Sequence, residues 1–361
     1  MGRREVERNP ASEAPGTAGG AWPHPAIMHR VATPPLATIG VDLGGSNVRA
    51  AVVTPDGSIL RIHERLAQPE RGPEAVLDDL VGCIREVCLA DAGDGVLGVG
   101  VGVAGQVDLA TGMVRHAPNL DWHDVPLRVR LEEALRLPVA VLNDVQAAAF
   151  GEHMFGAGQG VSELVCLFLG TGVGGGVITR GKLLQGCTGS AAELGHITVD
   201  PNGPLCRCGN RGCLEAFAGG WAIARRAREA ATAAPESGPI LRELAGGDLE
   251  RIATSTVVEA AGRGDPISQR ILGEASQALG IGVASIVNAF NPCVVVMGGG
   301  VVVGLPEWIE AARQGVRSRS LAVNAAALRV VTAGLGTRAG TIGAAAWAAA
   351  VVGETHDRPP S

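Results

Sequence analysis

Residues 37–61, ATIGVDLGGSNVRAAVVTPDGSILR, carry the pattern that decides the predicted fold. An apolar run leads into a Gly-Gly turn, a second apolar run follows, and Asp56-Gly57 marks a hairpin turn. Residues 163–186, ELVCLFLGTGVGGGVITRGKLLQG, repeat this plan, with a glycine turn over 170–176 between two apolar runs. Two copies of strand, glycine turn and strand predict a duplicated domain in which each copy offers one turn to a shared cleft.

The rest of the chain alternates between apolar strands and helical stretches. Between the two copies, the pattern predicts helix 74–90, strand 96–105, helix 126–136 and strand 138–145. Beyond them it predicts a mostly helical region that includes 268–290, a strand running into a glycine turn over 291–302, and an Ala-rich helix at 340–352. This alternation indicates an α/β protein.

Composition excludes several classes of protein. The 361 residues are 46% hydrophobic and 18% charged, which supplies enough core for two packed lobes. The net charge is −6 and no dense Lys/Arg tract is present, so we expect no nucleic-acid binding. The longest apolar runs are too short to span a membrane and are bounded by glycines, so we expect no membrane partner.

Both ends of the chain have the composition of disordered tails. Residues 1–36 are rich in Pro, Ala, Gly and charge, without the apolar core of a secretion signal, and residues 353–361 are also polar. A chain without a secretion signal is expected in the reducing cytoplasm, which argues against structural disulfides and lets clustered thiols act as metal ligands.

Three glycine turns together indicate a nucleotide site. The first turn follows Asp42, and each turn presents backbone N–H groups that can bind phosphate; the residues concerned are Gly44, Gly45, Ser46 and Asn47, then Gly170, Thr171 and Gly172, and finally Gly298, Gly299 and Gly300. Neither a Walker loop nor a dinucleotide fingerprint fits the first turn, and any one turn alone could be an ordinary hairpin. The combination predicts nucleotide binding, with Mg²⁺ between the phosphates and Asp42 as its candidate carboxylate ligand.

Asn143-Asp144 ends a predicted strand that should emerge at the same cleft. A carboxylate there can accept the proton of an attacking hydroxyl while the amide orients that hydroxyl, as phosphoryl transfer to an alcohol requires. The alternative is that Asp144 is the N-cap of the helix that follows, and one residue could serve both roles.

Residues 204–217, PLCRCGNRGCLEAF, place three cysteines within eight positions. With His196 they make a Cys₃His set, a closed arrangement typical of structural zinc; the set is His196, Cys206, Cys208 and Cys213. A redox Cys-x-Cys pair and a core histidine are the alternatives. Zinc would hold Glu193 and Glu215, on either side of the ligands, in fixed positions. The remaining cysteines lie mostly in apolar runs and are expected to be buried.

Residues 116–127, HAPNLDWHDVPL, offer groups that suit a sugar. Asn119 supplies an amide and Trp122 a flat apolar face, although plain loop packing explains both equally well. Asn119, Glu193 and Glu215 around one cleft would match a polyhydroxylated substrate, because each buried hydroxyl needs a partner.

These motifs resemble those of the ROK family (repressor, open reading frame, kinase), within the actin/hexokinase-like superfamily, and most closely those of its bacterial ATP-dependent glucokinases. The resemblance covers about residues 37–350. The matching segments are VDLGGSNVRAAVV (41–53) and LGTGVGGGV (169–177) for phosphate, NDVQAAA (143–149) for catalysis, ELGHI (193–197) with CRCGNRGCLE (206–215) for sugar and zinc, and NPCVVVMGGGV (291–301) for adenosine. The cysteine signature is the most specific of them.

The resemblance implies a two-lobed, duplicated actin/hexokinase-like (ribonuclease-H-like) α/β fold. The N-terminal lobe would span 37–145 and be joined by a C-terminal helix at about 339–352, and the C-terminal lobe would span 146–338 with the zinc loop. It also implies a cytoplasmic, homodimeric enzyme that uses ATP, Mg²⁺ and structural Zn²⁺ to phosphorylate the 6-hydroxyl of a hexose. Glucose leads, and N-acetylglucosamine, N-acetylmannosamine and fructose are alternatives.

By the same resemblance, Asp144 is the general base. The implied sugar contacts are Gly105, Asn119, Asn143, Glu193, His196 and Glu215. His196 would use one ring nitrogen for zinc and the other for a sugar hydroxyl.

The chain departs from the family pattern at three places. Ala104-Gly105 replaces the usual Pro-Gly, Ala192 replaces the usual Gly before Glu193, and Ser46-Asn47 replaces the usual Thr-Lys. The family also contains sugar-sensing repressors with a helix-turn-helix domain before the first phosphate motif. The 36 Pro-rich residues at that place are too few and too irregular for such a domain, so we expect an enzyme.

Overall fold

A computed structural model describes residues 37–88, 95–234 and 236–356. The predicted tail over 1–36 and residues 357–361 of the predicted C-terminal tail lie outside the described residues. The helix expected at 340–352 spans Ala339–His356, so it continues past the predicted start of the C-terminal tail.

The described strands form two five-stranded sheets and one three-stranded sheet. In chain order they are β1 (Ala37–Leu43), β2 (Asn47–Val53), β3 (Ile59–Leu66), β4 (Val96–Val103), β5 (Gln106–Asp108), β6 (Met113–Ala117), β7 (Trp122–Val125), β8 (Val139–Asn143), β9 (Leu164–Leu169), β10 (Val173–Thr179), β11 (Lys182–Leu183), β12 (Val294–Gly298) and β13 (Arg329–Thr332). The small sheet β5-β6-β7 is absent from the sequence prediction.

The two large sheets have the same strand order, β3-β2-β1-β4-β8 and β11-β10-β9-β12-β13. In each, the first three strands run antiparallel, the third strand pairs in parallel with the fourth, and the fourth pairs in parallel with the fifth. Strand β1 thus corresponds to β9, and β2 to β10. The duplication predicted from residues 37–61 and 163–186 is confirmed, and so is the mixed α/β class.

Some helices pack on these sheets, and others pack on one another. In chain order the helices are α1 (Pro73–Cys88), α2 (Leu127–Leu135), α3 (Asp144–Phe155), α4 (Leu214–Ala218), α5 (Gly220–Ala233), α6 (Pro239–Leu244), α7 (Thr254–Gly262), α8 (Pro266–Phe290), α9 (Gly300–Gly304), α10 (Trp308–Arg319), α11 (Ala322–Ala327) and α12 (Ala339–His356). Among those that pack on the sheets are α1, α3 and α12. The segment 291–302, predicted as a strand that runs into a glycine turn, forms β12 and then α9, which begins at Gly300. Two cysteines expected to be buried, Cys187 and Cys293, are exposed.

Helix α8 is long and apolar enough to pass a length-and-composition test for a membrane span. It packs against α4, α5, α7 and α10, and 61% of its most apolar window is buried within the protein. Its apolar residues, such as Ile271, Leu279 and Val283, belong to the core beside the second large sheet. The helix therefore has the character of a core helix.

Helix α12 lies directly on the first large sheet and on α3. Gly40 and Gly100 are paired neighbours on β1 and β4. A Cβ atom at Gly40 would lie 1.9 Å from the Thr341 carbonyl oxygen, and one at Gly100 would lie 1.8 Å from the Ala344 carbonyl oxygen. Only glycine allows backbone to approach backbone this closely. The described residues belong to one compact unit, so the lobe boundaries at 145 and 338 stay a prediction.

Glu152 ties α3 to the segment that leads into α12. Its side chain is fully buried. Its carboxylate accepts hydrogen bonds from the backbone N–H groups of Ala157 (2.8 Å), Gly334 (2.9 Å) and Leu335 (2.8 Å). A buried carboxylate is tolerated when several donors satisfy it, and here they come from two separate segments.

We predict that Glu152→Gln lowers the free energy of unfolding by about 3 kcal/mol, because the amide must direct an NH₂ group at one or more of these donors. Denaturant unfolding followed by circular dichroism measures the change. Glu163→Gln is the matched control, since the Glu163 carboxylate is partly exposed and accepts one backbone hydrogen bond, from Arg180 at 2.9 Å. Equal destabilisation by the two substitutions would contradict the role given to Glu152.

Candidate active site

The junction of β8 and α3 places Asp144 at the head of a helix. Asn143 is the N-cap, since its Oδ1 accepts hydrogen bonds from the N–H groups of Val145 (2.9 Å) and Gln146 (3.1 Å). The alternative in which Asp144 is the N-cap is therefore wrong. The Asn143 Nδ2 donates to the Gly105 carbonyl at 3.1 Å, so this side chain also holds the loop after β4.

Asp144 has an altered acidity. Burial and then the negative charge of Asp42 raise the pKa of its carboxyl to about 6, while a hydrogen bond from the Val145 N–H opposes the rise and Glu193 adds to it. A carboxylate with this pKa is mostly ionised at neutral pH and is a stronger base than an ordinary aspartate. It is suited to accept a proton from a hydroxyl.

Asp42 lies near the end of β1, beside Arg49 of β2. Burial raises the pKa of the Asp42 carboxyl, the Arg49 charge lowers it, and Glu64 raises it. The start of α12 faces this carboxylate, because a Cβ atom at Gly340 would lie 3.2 Å from its Oδ2. Two acids, Asp42 and Asp144, thus share one end of the first large sheet.

The first glycine turn lies against the loop that carries Asn119. Its Gly44 N–H donates to the Asn47 carbonyl at 3.0 Å, and Ser46 and Asn47 are exposed. A Cβ atom at Gly45 would lie 2.7 Å from the Asn119 Cβ. The structure therefore brings together two predicted features that are more than seventy residues apart.

The second glycine turn and the third line one cavity of about 770 Å³. Its lining includes Gly170 and Thr171 of the second turn, Gly300 of the third, and the apolar side chains of Ile252 and Val258. The second turn is bound to the start of α5. The Gly170 carbonyl accepts a hydrogen bond from the Gly220 N–H at 3.0 Å, and the Thr171 carbonyl accepts one from the Trp221 N–H at 2.9 Å. Among the described residues that line this cavity, none belongs to the first turn.

The predicted zinc ligands converge. The ligand atoms of His196, Cys206, Cys208 and Cys213 all lie within 4.8 Å of one another. The His196 Nδ1 to Cys206 Sγ distance is 3.7 Å, and so is the Cys208 Sγ to Cys213 Sγ distance. Tetrahedral zinc with bonds of about 2.3 Å to sulfur places two sulfurs roughly 3.8 Å apart, so the cluster fits the ion. All eight cysteines lie in the described ranges and are free thiols.

Glu215 joins the cysteine loop to the second turn. Its Oε2 accepts a hydrogen bond from the Val173 N–H at 2.9 Å, and its Oε1 accepts one from the Trp221 Nε1 at 3.1 Å. The Cys206 Sγ lies 4.0 Å from the same Oε1. Any sugar contact of Glu215 would share a carboxylate that is already fixed by the protein.

The Glu193 carboxyl interacts electrostatically with His196, with Glu215 and with Asp144. Partial burial raises the pKa of the Glu193 carboxyl, His196 lowers it, and Glu215 raises it. Its charge also reaches Asp144. The residue before it, Ala192, has a left-handed backbone with φ of 69°, a conformation that glycine adopts without strain.

Two outcomes differ from the sequence reasoning. Trp122 is fully buried in the core beside the first large sheet, so it offers no face to a sugar, and the plain packing alternative is correct. Gln146, which the motif analysis passed over, donates hydrogen bonds to the loop before Glu193. A glutamine in the first turn of an alanine-rich helix was the available signal, because such a polar group needs partners when it is buried.

Comparison with known proteins gives consistent matches. The model of the ROK family matches residues 38–351. A glucokinase of Streptomyces coelicolor is 38% identical over 309 residues, which are 85% of this chain and 96% of that protein. The crystal structure of a ROK family glucokinase from Streptomyces griseus in complex with glucose and AMPPNP is 38% identical, with a TM-score of 0.73, covering 86% of this chain and 98% of the other. A ROK hexokinase from Thermus thermophilus gives 36% identity and a TM-score of 0.75, covering 88% of this chain and all of the other.

Proposed function

The chain belongs to the ROK family, and we propose from this premise that it is a sugar kinase which transfers the γ-phosphoryl group of ATP to the 6-hydroxyl of glucose. The observation that carries the proposal is the Asp144 carboxyl, whose pKa is about 6, at the head of α3. It lies among loops that resemble the family's phosphate and sugar motifs. The similarity to glucokinases over most of the chain favours glucose over the other hexoses.

Asp144 acts as the general base. The proton of the 6-hydroxyl moves to its carboxylate, the sugar oxygen forms a bond to the γ-phosphorus, and the bond from that phosphorus to the bridging oxygen breaks to release ADP. Its pKa keeps it ionised at neutral pH, yet basic enough to take the proton as the oxygen attacks.

ATP binds in the 770 Å³ cavity. Its base and ribose lie against the apolar wall and the turn at Gly298–Gly300, and its phosphates point toward Gly170, Thr171 and Gly172 and toward the first turn. When Mg²⁺ is bound it neutralises charge on the phosphates, and Asp42 is the carboxylate that would face it. Asp42 and Asp144 leave negative charge at that end of the sheet, which suits a cation.

The sugar contacts are Gly105, Asn119, Asn143, Glu193, His196 and Glu215. Their chemistry limits what each can do. The Asn143 Oδ1 already accepts two hydrogen bonds, so this residue can offer a sugar only its remaining Nδ2 hydrogen. Glu193, with acceptor oxygens only when ionised, suits a sugar hydroxyl that donates.

His196 and the three cysteines would hold zinc in a structural role, because four protein ligands leave no open position for water. The ion would hold in place the segment between Glu193 and Glu215, which lie on either side of the ligands. We also infer a cytoplasmic homodimer from the family resemblance.

We predict that Asp144→Asn lowers kcat by about a hundredfold to ten-thousandfold, because the amide cannot accept the hydroxyl proton. Glucose affinity, measured by calorimetric titration, should stay within about threefold, since the substitution keeps the shape of the side chain. The assay couples ADP release to a panel of hexoses and N-acetylhexosamines. Asp78→Asn, at an exposed position of α1, is the control. Near-normal turnover by the Asp144 variant would refute its role as the base.

A pH profile provides the second test. The pKa of Asp144 is raised to about 6, so the base is protonated below that pH and ionised above it. We expect kcat/KM for glucose to fall about tenfold for each pH unit below 6, because kcat/KM reports ionisation in the free enzyme. The residual activity of Asp144→Asn should lack this acidic limb. A flat wild-type profile down to pH 5 would contradict the assignment.

Removal of the metal tests the proposed role of zinc. We expect about one zinc per chain by elemental analysis, and chelation should weaken glucose binding before it weakens ATP binding, because the ion holds the sugar loop. Cys208→Ser should reproduce the chelator effect. Cys187→Ser, which alters an exposed thiol outside the cluster, should leave both affinities unchanged. Full sugar affinity in metal-free protein would exclude this role for zinc.

A further inference from the structure

Two amide side chains flank Asp144 on the first turn of α3, and each is tied to a different loop. Asn143 donates to the Gly105 carbonyl at 3.1 Å. Gln146 donates from Nε2 to the Gly189 carbonyl at 3.0 Å and the Ala191 carbonyl at 3.2 Å. The proposed base therefore lies between two residues that hydrogen-bond to two different loops.

Gln146 is well placed for such a tether. Its side chain is 3% exposed, and both hydrogens of its amide are engaged by the two carbonyls. Its Oε1 is buried and has no hydrogen-bond partner among the described residues. The amide is thus kept in the core although only its donor half is satisfied, which points to a role for those two hydrogen bonds beyond filling space.

The tethered loop carries strain immediately after the tether. Ala192 has φ of 69°, and its carbonyl accepts a hydrogen bond from the Leu194 N–H at 2.7 Å, which closes a tight turn around Glu193. A left-handed alanine persists only when the surrounding structure holds it. Gln146 holds the loop on one side of Glu193.

Leu194 holds the loop on the other side. It is buried, and a Cβ atom at Gly175 of β10 would lie 2.5 Å from its Cδ1. The residues on either side of Glu193 are therefore held by different elements. Ala191 is bound by Gln146 of α3, and Leu194 packs against β10 of the second large sheet. The position of Glu193 relative to Asp144 is set through Gln146, because Asp144 and Gln146 belong to the same helical turn.

We propose that Gln146 is a positioning residue that fixes Glu193 against Asp144 and thereby sets sugar affinity. The inference rests on the proposed function, since it takes Glu193 as a sugar contact and Asp144 as the base. Gln146 itself touches no reacting atom in this assignment. Its loss should therefore weaken sugar binding while it leaves nucleotide binding intact.

The test is Gln146→Met, which keeps the length of the side chain and removes both donors. We expect KM for glucose to rise by roughly tenfold to a hundredfold, because a small displacement of a binding group has effects of this size. KM for ATP should stay within about twofold, since the nucleotide cavity has no lining residue from this loop. Gln146→Asn retains the donors on a shorter side chain and should give an intermediate KM for glucose.

Asn324→Leu is the matched control. Asn324 is a buried amide whose Nδ2 donates to the Val287 carbonyl at 3.3 Å, remote in sequence from the site. Its loss should lower thermal stability without a change in either KM. If Gln146→Met does not fold, the comparison of Gln146→Asn with Asn324→Leu decides the question.

The outcomes separate this inference from the proposed function. A wild-type protein that phosphorylates no hexose refutes the function. An active wild type in which the Gln146 variants keep the ratio of the two KM values unchanged refutes the positioning role alone. Loss of stability without a selective rise in KM for glucose would also refute it, because a merely structural tether predicts that result.

Discussion

Direct contact between the backbone of helix α12 and the first large sheet is the constraint on which the site depends. It requires glycine at Gly40 and Gly100, where a Cβ atom would overlap the helix carbonyls. The same helix contacts α3, where a Cβ atom at Gly343 would lie 1.7 Å from the Ala147 carbonyl oxygen. Glu152 fastens the far end of α3 to the segment before α12. Sheet and helices form one rigid support, so the head of α3, and with it Asp144, has a fixed place.

This support holds two buried acids, Asp42 and Asp144, at the same end of the first large sheet, where burial and like charge are unfavourable. Asp42 lies near the end of β1 and Asp144 follows β8, and both strands run parallel to β4, which lies between them. Burial and the negative charge of Asp42 raise the pKa of Asp144. Burial also raises the pKa of Asp42, and the charge of Arg49 offsets only part of that rise. Such an arrangement opposes folding and is typical of functional sites, where the charge has a task that a ligand completes.

The sequence predicted the parts of the structure that follow from local periodicity and from repeated patterns. The two strand-turn-strand copies led to the two matching sheets, and the Cys₃His spacing led to ligand atoms that do converge. The sequence could not show which of two adjacent residues takes a role that suits both. Asn143 and Asp144 both favour the N-cap, and tertiary placement assigned it to Asn143. Trp122 was equally suited to a surface or a core, and its burial depends on contacts distant in sequence. Gln146 escaped notice because the loop that it binds lies more than forty residues away.

Glu215 connects the Cys₃His cluster to the second glycine turn, so the proposed sugar, zinc and nucleotide sites are physically linked. One carboxylate oxygen accepts a hydrogen bond from the Val173 N–H, directly after Gly172 of the second glycine turn, and the other accepts one from the Trp221 indole. Glu215 itself follows Cys213 by two residues, so any shift of the cysteine loop must move this carboxylate or break a hydrogen bond to the turn. Its two acceptor bonds are formed from a charged group in a partly buried place, where they are stronger than neutral ones. A metal that stiffens the loop would therefore also stiffen the turn that is proposed to hold the phosphates, and a sugar that engages Glu215 would act on both. This coupling between the cysteine loop and the second glycine turn needs no large motion, because the Glu215 side chain joins them directly.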